Sequence, residues 1–137
     1  MSLADARKAI ESRFSVAWDD RTPIAFEAVR FSPPQSGAWV ALYVREGGGL
    51  QASINTTPLH RFFGQIAVNV FTPQDVGAGQ GASLSDAVSA VFRRAAFSLG
   101  SSGQIVCGTP TATPLGIDPA GGFQHNVATP YTRNVYF

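Results

Sequence analysis

The sequence predicts a domain that mixes two helices with a larger set of strands, and three observations carry that prediction. Two stretches repeat apolar residues at helical spacing, one stretch alternates apolar and polar residues with a period of two, and Gly- and Pro-rich clusters cut the remainder into short extended segments. At 137 residues the chain is long enough to bury a real core but too short for a cofactor domain plus a substrate domain, so a single domain over residues 1–137 is expected.

The first helix is marked by Ser2 and Asp5, a variant capping box, followed by Leu3, Ala6, Ile10, Phe14 and Ala17 at helical spacing as far as Trp18. Asp19, Asp20, Arg21, Thr22 and Pro23 end it, because the residue before a proline is pushed out of the α region. A short extended run over residues 24–31 follows. After the turn signals Pro33, Pro34, Ser36 and Gly37, residues 39–44 are rich in β-formers and apolar on both faces, as in a central strand. Gly47, Gly48 and Gly49 are expected to end that strand, with a short second strand at 50–54 and a loop at 55–59.

The clearest strand begins at His60. Phe62, Gly64, Ile66, Val68 and Val70 fall on one face, while Arg61, Phe63, Gln65, Ala67 and Asn69 fall on the other. A second helix is expected from Gly79 or Ser83 to about Ala96, its stripe formed by Leu84, Ala87, Val88, Val91, Phe92 and Ala95. Ser83 and Asp86 repeat the Ser-x-x-acid cap, and Arg93 and Arg94 suit the negative end of the helix dipole. Extended segments at 105–115 and 123–131 close the chain, separated by a turn-like cluster of Asp118, Pro119, Gly121 and Gly122.

Ten basic and nine acidic residues leave a formal charge of +1, and only 14% of residues are charged. That balance provides no broad footprint for nucleic acid or an anionic membrane. The single cysteine, Cys107, excludes an internal disulfide and a cysteine-based zinc site. Neither a signal-peptide pattern nor an apolar stretch of about 18 residues occurs, so membrane spanning is not expected and the chain reads as cytosolic at synthesis.

The stretch Asp75-Val-Gly-Ala-Gly-Gln-Gly-Ala82 resembles a permissive dinucleotide fingerprint at Gly77, Gly79 and Ala82. The context fails, because residues 72–76 separate it from the strand and the acidic residue that would hold a ribose is missing from its place. No Walker lysine follows. His60 and His125 lack metal-ligand spacing, and Cys107 with His125 would make a nucleophile and base only if the fold joined them. Asp19 and Asp20 sit where aspartate serves turns. No metal, cofactor or catalytic residue is therefore expected. Ten phenylalanines, three tyrosines and two tryptophans exceed the needs of one core, and Tyr131, Tyr136 and Phe137 near the end lean towards assembly.

The order of these segments also resembles a known class. A helix ending in Trp18 is followed by TPIAFEAVRFSPP, GAWVALYV, HRFFGQIAVNVFTP, the GASLSDAVSAVFR helix and GGFQHNVATPYTRN, over residues 3–133. This resembles small bacteriophage tail proteins of the lambda-type tail terminator class, most tellingly at residues 22–26 and in Arg61 and Gly64 leading to Phe71-Thr72-Pro73.

The resemblance implies an α+β fold with a mixed, largely antiparallel sheet packed with two helices, and a protein acting without chemistry. It implies a homo-hexameric ring, monomeric when free or already assembled, that caps the tail tube, stops its polymerisation and presents a surface to a head-completion or connector protein. The site would be the head-proximal end of the virion tail, after assembly in the bacterial cytoplasm. For the interface the expected residues are Arg45, Glu46, Leu50, Gln51 and Ile54, on a projecting hairpin or loop at 45–54, with Arg61, Phe63 and Gln65 on the less apolar face of the strong strand. Both places also suit a solvated loop and a packing surface for the second helix. Another head-tail connector, tail-completion or tail-tube-like protein shares these features, and a small-ligand domain using the loop at 77–82 is the remote rival.

Overall fold

The period-two strand at the middle of the chain becomes the middle of the sheet. The computed structural model describes residues 2–34, 37–73, 78–98, 103–117 and 122–136. Its elements are α1 (Leu3–Trp18), β1 (Ile24–Phe26), β2 (Trp39–Gln51), β3 (Leu59–Thr72), α2 (Ala78–Phe92), β4 (Ala96–Ser98), β5 (Gly103–Cys107), β6 (Thr111–Ile117) and β7 (Phe123–Tyr136). All seven strands join one sheet in the order β1-β2-β3-β7-β5-β4, with β6 also paired to β7. Only β1 with β2 is parallel, and the remaining pairs are antiparallel, so the fold is α+β with a mixed, largely antiparallel sheet.

Both helices cover one face. Ala6, Ile10, Phe14 and Trp18 of α1 and Leu84, Val88 and Phe92 of α2 are buried with Val40, Leu42, Val44, Ile66, Val68, Val70, Ile105 and Val127 of the sheet. The expected inward set on β3 is the observed one, because a period of two puts Ile66, Val68 and Val70 on the same side as their partners Val44, Leu42 and Val40. Phe14 stacks on both Trp18 and Phe92, at 5.1 and 5.8 Å, which ties the two helices together. Ser2 and Asp5 form the expected capping box, and Asp19 and Asp20 take left-handed φ of 51° and 53° to end α1, a conformation aspartate tolerates.

Several expectations are corrected. The glycines at 47–49 do not end a strand: β2 runs through them to Gln51, with an irregularity between Glu46 and Gly48, so 50–54 is no separate strand. Pairing of Gly48 with Phe63 and of Gly49 with Phe62 holds these residues extended despite their poor intrinsic β-propensity, and Gly47 takes up the irregularity. The run at 24–31 is a strand only as far as Phe26, because Ala28 turns the chain at φ 61°.

Helix α2 begins at Ala78, which puts Ser83 and Asp86 inside it and not at a cap. It ends at Phe92, so Arg93 and Arg94 lie beyond its last turn. The segment 105–115 is two strands, broken at Gly108 where the chain crosses from one half of β7 to the other, and β7 continues past residue 131 to Tyr136. Asp118, Pro119, Gly121, Gly77 and Phe137 lie outside the described residues.

Candidate functional site

Strands β2 and β3 form a long hairpin, and its outer half extends past the part of the sheet that the helices cover. Residues 47–58 carry no charged side chain, yet 47–52 and 54–57 are exposed. The turn is closed by Ala52 N–H donating to the Leu59 carbonyl at 2.7 Å and Leu59 N–H donating to Ser53 Oγ at 2.8 Å.

The structure brings seven of the eight sequence-predicted interface residues onto the exposed or half-exposed surface of this hairpin. Arg45 and Gln65 are directly opposed, as are Leu50 and Arg61. Ile54 at the turn is 97% exposed, and Leu50 and Phe63 are 49% and 45% exposed. Gln51 Nε2 donates to the Ser53 carbonyl at 3.0 Å, and Arg61 Nε donates to Asn134 Oδ1 at 2.8 Å. Arg45 donates to Glu27 at 2.7 Å and lies over the Tyr43 ring.

Glu46 points the other way, to the helix-covered face, with its side chain only 9% exposed. Arg133 donates to both of its oxygens, at 2.5 and 3.1 Å, and the Tyr131 hydroxyl donates to Oε2 at 3.0 Å. Burial pushes the Tyr131 phenol up, and the Glu46 carboxylate beside it adds to the effect. The Arg133 guanidinium also lies 4.2 Å over the Phe62 ring. This pair lies on the inner face beside the buried Ile105 and Val135, and it holds the base of the hairpin to the C-terminal strand.

Two glycines make that arrangement possible, and sequence reasoning named both without this role. Phe62 covers Gly49, and Tyr131 covers Gly64, each across a directly paired register. The available signal was a glycine inside a strand pattern, which marks a close approach by another group.

The other candidates do not converge. Cys107 is paired with Tyr131 in register, while His125 lies six positions earlier on β7, about 20 Å away along a strand. Burial pushes the Cys107 thiol up to about 11, opposite to what a nucleophile needs. His125 is buried against Gly81 of α2, and His60 lies on β3 opposite Gln51 and Val135. Gly79 and Ala82 are helical residues of α2, so the described part of the glycine-rich stretch is no phosphate-cradling loop. Among the described residues no group of three or more His, Cys, Asp or Glu is placed to hold a metal ion, and no helix is long and apolar enough to cross a membrane.

A family model described as phage tail terminator protein matches residues 5–131. No curated protein matches the chain. Among solved structures, one chain superposes with a TM-score of 0.74 at 20% identity, covering 100% of this chain and 97% of that one. A chain from the virion of a native gene transfer agent particle superposes with a TM-score of 0.61 at 19% identity, covering 99% of this chain and 100% of its own. At these identities the likeness is one of fold.

Proposed function

The chain belongs to the phage tail terminator family, a family of structural tail proteins, and from that premise we propose that it forms a hexameric ring that caps the tail tube. The ring stops the addition of tube subunits and offers its far side to a head-completion or connector protein. It works at the head-proximal end of the tail, having assembled in the bacterial cytoplasm, and it needs no chemistry. The fold likeness to a chain of a gene transfer agent virion supports assembly with other virion proteins.

The observation that carries the reading is the exposed end of the hairpin, uncharged over residues 47–58, with Leu50 and Ile54 on its surface and Phe63 exposed nearby on β3. Interface cores are depleted of charge, whereas an ordinary solvated loop tip is not. Arg45, Arg61 and Gln65 are the polar residues on the face that carries Leu50 and Phe63, Gln51 borders the turn beside Ile54, and Glu46 serves the patch from beneath by fixing the hairpin base. A ring of this kind needs two different complementary patches per subunit, because each copy meets its two neighbours with different surfaces.

The test is light scattering of the purified chain over a concentration and salt series, paired with electron microscopy of self-assembling tail tubes to which it is added. Six-fold rings on tube ends and arrested growth are expected. Tubes that elongate unchecked, with the protein never at their ends, would assign the chain to another part of the neck or tail.

A further inference from the structure

The outer face of the sheet, away from the helices, carries an open apolar groove whose walls are Phe63, Val106, Gly108, Pro130 and Thr132. Its shape follows from the register. Phe63 is opposed to Thr132 and Thr132 to Val106, so these three side chains stand in one row across β3, β7 and β5. Pro130 stands two residues along β7 on the same face, and Gly108 N–H donates to its carbonyl at 2.7 Å. A methyl group on Gly108 would come within 3.0 Å of the Pro130 ring, so the glycine keeps this wall of the groove low. The volume is about 290 Å³, at the lower end of the roughly 300–1,000 Å³ of ligand pockets, and it has room for an inserted aliphatic side chain.

We propose that Ile54, at the hairpin tip of one copy, seats in the Phe63–Val106–Pro130 groove of the next copy, so that every subunit gives one knob and receives one. This rests on the ring reading above and specifies its subunit contact. Ile54 is 97% exposed, so it does not occupy the groove of its own chain. Tip and groove match in chemistry, because residues 47–58 carry no charge and neither do residues 103–117, which supply Val106 and Gly108. They are also different surfaces of one chain. The contact is therefore heterologous, and it carries on from copy to copy around an axis instead of being used up in a pair.

The experiment uses the full chain and four variants: Ile54→Asp, Val106→Asp, the charge-matched Ile54→Lys with Val106→Asp, and Ile54→Cys with Val106→Cys in a Cys107→Ala background. Assembly is followed by sedimentation and light scattering, alone and on tail tubes, with thermal melting as the fold control. Each single aspartate is expected to raise the concentration for half-assembly about tenfold or more, as loss of one buried aliphatic contact implies. The matched pair restores most of it, and the double cysteine gives an oxidised ladder of linked copies. Ile54→Asp is expected to melt with the wild-type chain, since its side chain touches little in the subunit.

Three results overturn the proposal. If Ile54→Asp assembles at the wild-type concentration and still caps tubes, the tip is no subunit contact, although the ring reading stands. If it assembles normally but no longer caps tubes, the tip meets the tube protein. If the wild-type chain forms no ring and leaves tubes growing, the ring reading itself fails and this contact falls with it.

Discussion

The Tyr131 ring lies across Gly64, its directly opposed residue on the neighbouring strand, and from there its hydroxyl reaches Glu46 one strand further on. A Cβ at Gly64 would stand 2.5 Å from Tyr131 Cζ and 2.6 Å from the Arg45 carbonyl oxygen. The second of these is backbone and cannot move aside cheaply. Gly64→Ala is therefore expected to lose about 1–3 kcal/mol in urea unfolding. At Gly49 the three nearest atoms to a Cβ all belong to the Phe62 side chain, so Gly49→Ala should lose less, and equal losses would argue against the backbone clash as the cause.

The buried Glu46–Arg133 pair gives a second expectation. Removing one partner, as in Glu46→Gln or Arg133→Met, takes from a buried charge the opposite charge it is directly hydrogen-bonded to and should cost about 3–5 kcal/mol. Replacing both with apolar residues of similar volume, Glu46→Leu with Arg133→Met, should cost much less. A double-mutant cycle by denaturant unfolding measures the difference, and strict additivity would remove the coupling.

Glu27 makes stability depend on acid. Desolvation raises its carboxyl, but donation from Val44 N–H, Arg45 and Arg7 outweighs it and brings the group from 4.5 down to about 2. These bonds span 2.7, 2.7 and 2.8 Å. A folded value below the unfolded one means the contribution is complete above about pH 4.5 and is lost as pH falls towards 2. Glu27→Gln should flatten the pH dependence across that window by about 1–2 kcal/mol, the full linkage being reduced by partial exposure. Parallel pH profiles for the two proteins would contradict this.

Ala28 and Arg94 are held at φ 61° and 54°. L-residues pay roughly 1–2 kcal/mol for that region, and glycine pays nothing there but loses more chain entropy on folding. Ala28→Gly and Arg94→Gly should each raise stability by about 0.5–1 kcal/mol, read as a higher denaturation midpoint at unchanged slope. A fall at either site would show that a side-chain contact outweighs the backbone term.

Cys107, with its thiol pushed up to about 11 by burial, should resist alkylation at pH 8 in the folded chain and react as the chain unfolds. Labelling across a urea series should follow the unfolding curve. Rapid labelling without urea would mean that β5 opens locally.

The parts of this protein that its sequence determined are those governed by local periodicity and local stereochemistry. The stripe Ala6, Ile10 and Phe14, the Ser2–Asp5 cap, the αL aspartates after Trp18 and the inward Ile66, Val68 and Val70 all follow from spacing within a few residues. Gly47, Gly48 and Gly49 marked the 45–54 segment as a projection in the sequence, although there they were expected to end the strand. Tertiary structure alone decided that the strand continues through Gly47 to Gly49, because pairing of Gly48 and Gly49 with β3 and the cover of Phe62 over Gly49 hold the segment there against glycine's own preference. It also turned Glu46 inward, since only the pairing of β2, β3 and β7 brings Arg133 and Tyr131, nearly ninety positions away, to a carboxylate that would otherwise face water. The groove of Phe63, Val106 and Pro130 has the same origin: Phe63, Thr132 and Val106 share one row across three strands distant in sequence, Pro130 stands two residues along β7, and no periodicity within any one strand records that they meet.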